Sequence, residues 1–477
     1  MYTVAQLIGG VWGAGGDGGE LVVFDPADGT QVTSAPVATA DEVGKAVAAA
    51  RGTAAQWAAT APTERAAALH RAAEAVAEAA DELAQATTAE MGKPLADARA
   101  GVDAGIATLR QYAELAATRG GRTLHGDPAA IDFMTPEPRG VVAVITPWND
   151  PVAVSCGLLG AALVTGNVVL HKPSERTPAT GWLLARAFDA ALPAGVLSLL
   201  SGGPETGAAL AAAEVDVVAH VGSTAAGRAI ATAAAAGGAK VLLENGGSDP
   251  MIVDADVDPI WAAGQAAQGA FANAGQICVA VERIYAHRDI AEDFVAALVE
   301  RAVALRIGPG RQPGTELGPL VDRRHRDQVH GQVTAAAADG ARIRTGGTLP
   351  DGPGAFYPAT VVDDCRHDMT LVREETFGPV APVVVVDSFS EALRCAADSP
   401  YGLAATVLTG SMSHAQRAWR ELPVGTVKVN AVFGGAPAGA AHPRRGSGQG
   451  FGYGPELLDE FTATKAVHIE APGGGHW

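Results

Sequence analysis

Three side chains of different chemistry stand beside small or turn-forming residues in this chain. Cys278 ends a Gly-Gln-Ile-Cys segment, Glu244 precedes Asn-Gly-Gly, and Asn149 follows a Pro-Trp pair. A thiol can add to a carbonyl carbon, an amide can stabilise the oxyanion that forms, and a carboxylate can activate water. Together they are the groups that oxidation of an aldehyde through a thioester requires.

Each of the three also has a plainer interpretation. A lone cysteine is more often a small buried apolar residue than a nucleophile. A glutamate before two glycines commonly ends a strand in solvent, and an asparagine after such a pair is commonly a turn residue. The chemical interpretation therefore depends on the order of the three residues and on the motifs around them.

Composition limits the class of protein. The 477 residues are too many for one compact core, so we expect two or more domains. With 48% hydrophobic and 18% charged residues, the chain is typical of a large soluble enzyme. A net charge of −18 and the lack of a Lys/Arg stripe make nucleic acid and anionic membranes poor partners.

Cysteine usage and the chain start bear on location. Cys156, Cys278, Cys365 and Cys395 are not spaced as a disulfide framework or a zinc site, so we expect reduced thiols and no metal. The first residues lack the basic and apolar parts of a signal peptide, and no uninterrupted apolar run could span a bilayer. We therefore expect a cytoplasmic protein.

Alternating segments indicate the fold class. Residues 39–119 are rich in alanine and predict helices, with a capping box at Thr39, and residues 121–136 predict an extended excursion. Short Val- and Leu-rich runs then alternate with helical stretches, which is typical of a parallel sheet covered on both faces. The predicted strands are Val141–Ile145, 167–171, 196–200, 215–221, 240–243, 251–253, 282–287, Val380–Val386, Ala404–Leu408, 425–430 and 461–469.

Eight short motifs follow one another along the chain. They are Trp148-Asn149, Lys172-Pro-Ser-Glu175, Gly222-Ser-Thr-x-x-Gly227, Glu244-x-Gly-Gly247, Gly275-Gln-x-Cys278, Glu375-x-Phe-Gly-Pro379, Ser399-Pro-Tyr-Gly-Leu403 and Gly425-x-Val-x-Val-Asn430. Their order is that of the aldehyde dehydrogenase superfamily, which the sequence resembles from residue 25 to residue 465. One such motif is moderately specific, whereas eight in order leave little room for chance.

The resemblance implies a role for each motif. Cys278 would be the nucleophile, its backbone N–H and the Asn149 amide would form the oxyanion hole, and Glu244 would be the base for deacylation. Lys172 and Glu175 would hold the adenosine ribose. The full set of implied cofactor-binding residues is Pro147, Trp148, Lys172, Ser174, Glu175, Gly203, Pro204, Gly222, Ser223, Glu375 and Phe377.

The resemblance also implies a division of the α/β chain into three parts. A Rossmann-like parallel-sheet domain that binds NAD would comprise residues 1–119 and 137–245, and a second, catalytic α/β domain residues 246–445. A small β oligomerisation arm would comprise residues 120–136 and 446–477, its last strand pairing with the 121–136 excursion across a subunit boundary. A homodimer and a homotetramer are equally consistent with such an arm.

The chain departs from the family where the family builds its aldehyde tunnel. Asp150 stands where relatives carry an aromatic or apolar residue, and the 436–448 loop holds His442 and Arg444 in place of a Pro-Phe-Gly-Gly run. Asp150 would favour a polar or cationic aldehyde and Arg444 an anionic one, while Ile277 would narrow the tunnel. Solvent exposure is the alternative for the charged positions, and for Arg445 it is the preferred interpretation.

Two further hypotheses compete with hydrolytic aldehyde oxidation. Coenzyme-A-acylating relatives lack the water-activating glutamate, so the presence of Glu244 favours hydrolysis. A catalytically silent binding protein would usually have lost the cysteine, the asparagine or the glutamate, and all three are present. Glu175 bears on the cofactor, because a carboxylate that accepts from a ribose 2′-hydroxyl repels a 2′-phosphate. We therefore expect NAD to be preferred over NADP.

Overall fold

The computed structural model describes residues 1–128, 130–435, 439–440 and 442–470. Its α-helices are α1 (Ala40–Ala58), α2 (Pro62–Glu78), α3 (Ala80–Met91), α4 (Leu95–Ala116), α5 (Pro151–Val164), α6 (Pro178–Asp189), α7 (Pro204–Ala211), α8 (Thr224–Gly237), α9 (Pro259–Phe271), α10 (Ala291–Ala304), α11 (Arg323–Ala338), α12 (Thr370–Arg373), α13 (Phe389–Ala397), α14 (Met412–Glu421) and α15 (Leu457–Glu460). No helix within these residues has the length and apolar character that a membrane span requires.

The strands are interleaved with these helices. They are β1 (Tyr2–Thr3), β2 (Gln6–Ile8), β3 (Val11–Gly13), β4 (Glu20–Phe24), β5 (Gln31–Pro36), β6 (Arg122–Leu124), β7 (Ala130–Pro138), β8 (Val141–Ile145), β9 (Val168–Lys172), β10 (Leu197–Leu199), β11 (Val217–Val221), β12 (Lys240–Glu244), β13 (Asp249–Val253), β14 (Val281–His287), β15 (Arg342–Thr345), β16 (Thr360–Asp363), β17 (Val380–Val386), β18 (Ala404–Leu408), β19 (Thr426–Val429), β20 (Gly448–Gln449) and β21 (Thr462–Glu470). Every predicted strand is present, within two residues of its expected ends.

The first large sheet has the order β20-β12-β11-β8-β9-β10-β2-β3. Its five central strands, β12 to β10, run parallel, so their carboxyl ends share one edge. Val141–Ile145 is buried throughout, as expected for a strand with helices on both faces. β20, which lies in the segment predicted to belong to the arm, adds antiparallel to β12 and brings residue 448 beside Glu244.

The helical N-terminal region covers this sheet. Thr39 forms the predicted capping box with Glu42, which starts α1. Leu69 and Val76 are buried on α2 and Leu83 is buried on α3. The helical backbone is interrupted at Ala79, between α2 and α3. These two consecutive helices therefore pack on one core.

The second large sheet has the order β15-β16-β17-β14-β13-β18-β19 and is parallel except where β15 joins its edge. Val380–Val386 and Ala404–Leu408 occupy their predicted bounds. Helices α9, α10 and α13 pack on its strands and complete a separate core. The two large sheets thus each have their own hydrophobic core, as α/β layers require.

A smaller sheet of order β21-β7-β6 forms the arm. β21 pairs antiparallel with β7 over nine residue pairs, from Thr462 with Pro138 to Glu470 with Ala130. The predicted partnership of these two segments is confirmed, but the expectation that it crosses a subunit boundary is wrong, because both strands belong to one chain. After α15, the buried Phe461 lies beside the end of β7, where its carbonyl oxygen accepts from the Arg139 backbone N–H, and β21 then runs antiparallel along β7.

Candidate active site

A cavity of about 660 Å³ opens at the carboxyl edge of the first sheet, where it faces the second. Residues from both large sheets line it, which is the usual place for a ligand of a parallel α/β sheet. Nine of the predicted residues are among those that line it: Pro147, Trp148, Asn149, Gly222, Ser223, Glu244, Cys278, Glu375 and Phe377. The three side chains with which the sequence analysis began are therefore brought to one cavity.

The loop before Cys278 has an unusual backbone. Asn273 and Ala274 have φ values of 50° and 55°, in the left-handed region that non-glycine residues rarely occupy. Gly275 follows with φ 72°, and a β-carbon there would overlap the carbonyl oxygen of Gly378. Three consecutive left-handed residues turn the chain sharply after α9 and present Cys278 to the cavity, a strain typical of functional sites.

Amide side chains hold this turn. The Nδ2 atom of Asn149 donates to the carbonyl oxygen of Gln276 at 3.1 Å, and Nδ2 of Asn273 donates to the carbonyl oxygens of Asn149 and Gln276 at 3.2 and 3.1 Å. The buried Gln276 side chain accepts from the Val321 backbone at 2.9 Å. Because an amide nitrogen carries two N–H groups, Asn149 keeps one donor for a ligand beside Cys278.

The surroundings of Cys278 favour the neutral thiol. Burial, together with the negative charges of Glu244, Asp249 and Glu375, raises the pKa of the thiol to about 12. The sequence led us to expect a setting that favours the thiolate, and for the chain alone that expectation is wrong. Lys428, whose own pKa is lowered by burial, is the cation whose charge reaches Cys278 and Asp249. Proton removal from Cys278 is thus part of the chemistry to be explained.

Glu244 ends β12 as a buried carboxyl group. Its Oε1 atom is inaccessible to solvent and has no hydrogen-bond partner among the described residues. Burial raises the pKa of this group to about 7. A carboxyl group that titrates near neutral pH is well matched to general-base work, because it is both ionised and appreciably basic.

Two further carboxyl groups, those of Glu375 and Glu282, lie on the other side of the cavity and hold its backbone in place. Oε1 of Glu375 accepts from the Gly247 backbone at 3.0 Å, and burial raises the pKa of Glu375 to about 7. Glu282 accepts from the backbone N–H groups of Thr376 at 2.9 Å and Phe377 at 2.7 Å, and burial beside Glu375 raises its pKa well above the usual range. Glu282 therefore fixes the segment that carries Glu375 and Phe377.

Aromatic rings close the cavity on the side of Pro147 and Trp148. The Trp148 ring meets the Phe377 ring edge-to-face at 5.5 Å and the His325 ring at 6.1 Å. Nε2 of His325 lies 2.7 Å from the Phe377 carbonyl oxygen, and the Arg176 guanidinium lies 5.2 Å from the centre of the Trp148 ring. These contacts give the cavity a rigid, largely apolar wall.

The predicted phosphate and ribose residues lie along the carboxyl edge of the first sheet. Ser223 is the N-cap of the 14-residue helix α8 and accepts from Ala226, and Gly222, which precedes it, donates its backbone N–H to the Glu244 carbonyl oxygen. Both line the cavity, where the helix end favours an anion. A β-carbon at Gly222 would collide with the His220 ring.

Lys172 and Glu175 stand at the end of β9. Nζ of the buried Lys172 lies 3.7 Å from Oε2 of Glu175, whose side chain is 39% exposed. Ser174 accepts from the Arg176 backbone at 3.2 Å and is a buried turn residue. Gly203 is the N-cap of α7, and Pro204 is the first residue of that helix. These five predicted residues do not line the cavity itself; Lys172, Ser174 and Glu175 continue along the carboxyl edge of the first sheet beyond it.

These residues suit a dinucleotide in two ways. The N-terminus of α8 offers N–H groups to a pyrophosphate. The glycines at 222 and 246 leave the space that the His220 ring and the Glu375 carboxylate occupy beside this edge. Glu375 and Glu175 offer carboxylate acceptors to hydroxyl groups at separate points of the same edge.

The predicted substrate residues have different surroundings. Asp150, at the N-terminus of α5, lies 3.2 Å from Nζ of the buried Lys93, and its carboxylate fills the space that a β-carbon at Gly101 would need. Ile277 is half-buried beside Cys278. His442 is exposed, with its ring 4.7 Å from that of Phe451.

The last loop positions are at the surface. Arg444 is exposed and donates its backbone N–H to Gly402 at 3.0 Å. The Arg445 guanidinium binds the carbonyl oxygens of Ala397 and Ser399 at 2.9 and 2.7 Å. Residues 436–438 and 441, in the loop predicted to replace part of the tunnel, lie outside the described residues.

Several residues of the site were missed by sequence reasoning. Gln276 was noted only as part of the segment that ends at Cys278, and Glu282 stands inside a strand where a charged residue suggests solvent. Lys93 follows a glycine at a helix end and carries no motif of its own. A buried partner could have been suspected only for Glu282, because the strand around it is otherwise apolar.

The chain matches the aldehyde dehydrogenase family model over residues 12–467. It is 37% identical over 473 residues to the 3,6-anhydro-alpha-L-galactose dehydrogenase of Streptomyces coelicolor, covering 98% of this chain and 96% of that protein. A solved 3,6-anhydro-L-galactose dehydrogenase in complex with NAP is 31% identical, with a TM-score of 0.95 over 98% of this chain and 100% of the other.

Lactaldehyde dehydrogenase from Escherichia coli is 32% identical and superimposes with a TM-score of 0.96 over 98% of this chain and 99% of the other. The match to the family model and the identity to these relatives extend over nearly the whole chain, including every motif named above. The chain belongs to the aldehyde dehydrogenase family of NAD(P)-dependent oxidoreductases, which oxidise aldehydes to carboxylic acids.

Proposed function

We propose that Cys278 is the nucleophile, Asn149 the oxyanion donor and Glu244 the hydrolytic base of this enzyme. The observation that carries the proposal is the convergence of the three side chains on one cavity, with Asn149 bonded to the turn that presents Cys278. The thiolate of Cys278 adds to the aldehyde carbon. The second N–H of Asn149 and the Cys278 backbone N–H stabilise the oxyanion, and removal of such a donor typically costs about 10²–10³ in rate.

Release of the acid depends on Glu244. When bound, the nicotinamide cofactor supplies the acceptor for the hydride that leaves the thiohemiacetal carbon. The thioester that remains on Cys278 needs a nucleophile. Glu244 takes a proton from water, the water oxygen bonds to the thioester carbon, and the carbon–sulfur bond breaks. Because its pKa is about 7, Glu244 is basic enough for this step and still largely ionised at pH 8.

The same carboxylate is suited to start the reaction. The pKa of Cys278 is far above neutral, so the thiol has to lose its proton to a base or to gain a nearby positive charge. Glu244 and Cys278 line one cavity, and the charge of Glu244 reaches the thiol. We infer that Glu244 serves twice, first at the thiol and then at water.

We propose NAD as the preferred cofactor, held by the predicted set of residues. Glu175 is 39% exposed and lies 3.7 Å from Lys172, so its carboxylate is placed at the end of β9 where a ribose would bind. A 2′-phosphate would meet this negative charge. Glu375 would receive the second ribose, and Ser223 at the start of α8 the pyrophosphate.

For the substrate we propose an aldehyde with hydroxyl or ether oxygens near the carbonyl group. Two relatives are named for 3,6-anhydrogalactose and one for lactaldehyde. Asp150 departs from the apolar residue of the family, and its pairing with Lys93 offers both acceptors and donors without net charge. Ile277, His442 and Arg444 are proposed as further substrate-side residues, with Arg444 as the weakest because it is exposed.

We further propose a cytoplasmic homodimer or homotetramer. The four cysteines are free thiols in the structure, which suits a reducing compartment. The arm presents Ile131 and Ile469 largely exposed on its surface, a feature of surfaces that contact another subunit.

An aldehyde panel tests the function. Hydroxylated, aliphatic, aromatic, cationic and acidic aldehydes are compared by kcat/KM with NAD and with NADP. We expect the highest values for hydroxylated aldehydes with NAD, and for Asp150→Phe a shift of the ratio toward apolar aldehydes of about 5–100-fold. If the ratios of kcat/KM between aldehyde classes are equal in wild type and variant, Asp150 is not part of the substrate site.

A further inference from the structure

The side chain of Glu244 lies against a glycine from a distant part of the chain. A β-carbon on Gly452 would overlap the Cγ, Cδ and Oε1 atoms of Glu244. Gly452 is not one of the glycines in the left-handed region, so its backbone is open to any residue and only the lack of space excludes a side chain. The glycine thus leaves the gap that the carboxyl end of Glu244 fills.

The segment around Gly452 is held in place on both sides. The Phe451 backbone N–H donates to Oε1 of Glu460 at 3.0 Å, and the Tyr453 hydroxyl lies 3.2 Å from Oγ1 of Thr108 on α4. The backbone is therefore anchored, whereas the overlapping atoms belong to the free end of a side chain. A larger residue at position 452 would displace the Glu244 side chain before it displaced the backbone.

We propose that Gly452 is a positioning residue for the deacylation base, seating Glu244 in the buried conformation from which it serves Cys278. This inference rests on the proposed role of Glu244. No polar atom of Gly452 is required for it, because the contribution is the space that a missing side chain leaves.

The position of the Glu244 side chain beside Gly452 is consistent with its properties as a base. The carboxyl group beside Gly452 has an Oε1 atom without a partner among the described residues, and burial raises the pKa of Glu244 to about 7. The ionisable groups whose pKa values respond to its charge are Cys278 in the catalytic loop and Tyr112 on α4. A Glu244 side chain forced into the cavity would be better solvated, so its pKa would fall toward the ordinary 4.5.

The test uses a substrate that acylates Cys278 without cofactor. With p-nitrophenyl acetate, the Cys278 thiolate bonds to the acetyl carbon, the ester carbon–oxygen bond breaks, and p-nitrophenolate leaves in a rapid burst. Deacylation then transfers the acetyl group to water and sets the steady rate. Stopped-flow absorbance separates the two rates, and the deacylation rate is followed from pH 5 to pH 9.

For Gly452→Ala we expect deacylation at pH 8 to fall about 10–100-fold, as misplacement of a catalytic group by about 1 Å can do. The acidic limb of its pH profile should move from about pH 7 to below pH 6. Gly120→Ala is the matched control, because Gly120 is a loop glycine with ordinary φ and no atom within 4 Å of an added β-carbon. Its rates and profile should match those of the wild type.

A double-mutant cycle distinguishes positioning from general structural damage. In a Glu244→Gln background, Gly452→Ala should have no further effect on deacylation, because the group on which Gly452 acts is already lost. An equal loss in both backgrounds, or an unmoved acidic limb, would overturn the inference. If Glu244→Gln alone deacylates at the wild-type rate, the proposed base itself is wrong, which is a separate outcome.

Discussion

The side-chain amide of Asn149 lies 3.1 Å from the carbonyl oxygen of Gln276, across 127 positions of sequence, and joins the first sheet to the loop of the nucleophile. Asn273 ties the same carbonyl oxygen to the Asn149 backbone. Asn149 thus fixes the turn before Cys278 with one N–H, and in the proposed mechanism it offers the other to the oxyanion.

Replacing Asn149 should therefore reduce catalysis more than binding. For Asn149→Ala we expect kcat/KM to fall about 10²–10³-fold, because an oxyanion donor is lost. Dissociation constants for the cofactor, measured by fluorescence titration, should change less than about threefold. A loss of activity below about fivefold would mean that Asn149 only supports the loop.

The raised pKa of Cys278 can be tested by alkylation of the free enzyme. Because the thiolate is the reactive form, the inactivation rate with iodoacetamide should rise about tenfold per pH unit from pH 7 to pH 10 without a plateau. Peptide mass spectrometry should find the label on Cys278, which lines the cavity, since Cys156, Cys365 and Cys395 are buried. A plateau below pH 8 would contradict the assignment.

Cofactor choice should depend on Glu175. Glu175→Ser removes the charge that repels a 2′-phosphate and keeps a hydroxyl for the ribose, so the ratio of kcat/KM for NAD to that for NADP should fall about tenfold or more. Glu64→Ser, at an exposed position in the first turn of α2, is the matched control and should leave the ratio unchanged. A wild-type enzyme at least as efficient with NADP as with NAD would contradict the preference.

The free energy of unfolding should depend on Asp249. Burial raises the pKa of Asp249 from its ordinary 3.8 to about 8. Between these values the folded state binds a proton that the unfolded state has lost, so this group makes the protein less stable as pH rises from 5 to 8. Asp249→Asn should flatten that dependence in urea unfolding measured by circular dichroism.

Asp28→Asn is the control for the same measurement. The pKa of Asp28 is lowered to about 2 by hydrogen bonds from Thr30 and Arg311, so its contribution is complete above pH 5. It should therefore change stability equally at pH 5 and pH 8. A pH dependence of unfolding that is unaltered by Asp249→Asn would show that Asp249 is ionised in the folded protein.

Much of the fold could be predicted because the buried strands are continuous Val- and Leu-rich runs. Val141–Ile145 is buried at all five positions and was found at its predicted bounds. The pairing of 461–469 with the excursion was also predictable from their extended patterns. The sequence did not show that both strands belong to one chain, because a strand pattern does not reveal which copy of the chain supplies the partner strand.

The site was less predictable than the fold. Cys278, Glu244 and Asn149 stand in local motifs, whereas the residues that tune them are distant in sequence. Glu282 stabilises the Phe377 segment from a strand 95 positions earlier. Gly452 affects Glu244 only by lacking a side chain, because the Glu244 side chain occupies the space that a β-carbon would need. The raised pKa of Cys278 follows from burial among carboxylates, which the sequence around the cysteine does not show.

The most direct test of the central claim is a single-turnover experiment with Glu244→Gln. We expect a burst of about one equivalent of reduced cofactor per active site, slower than in the wild type because Glu244 no longer takes the proton of the thiol. Turnover after the burst should be slowed further, about 10²–10⁴-fold, because the thioester cannot be hydrolysed. Intact-protein mass spectrometry should then show the acyl group, and peptide mapping should place it on Cys278. A variant that turns over at the wild-type rate, or one that gives a burst with the acyl group on another residue, would contradict the account.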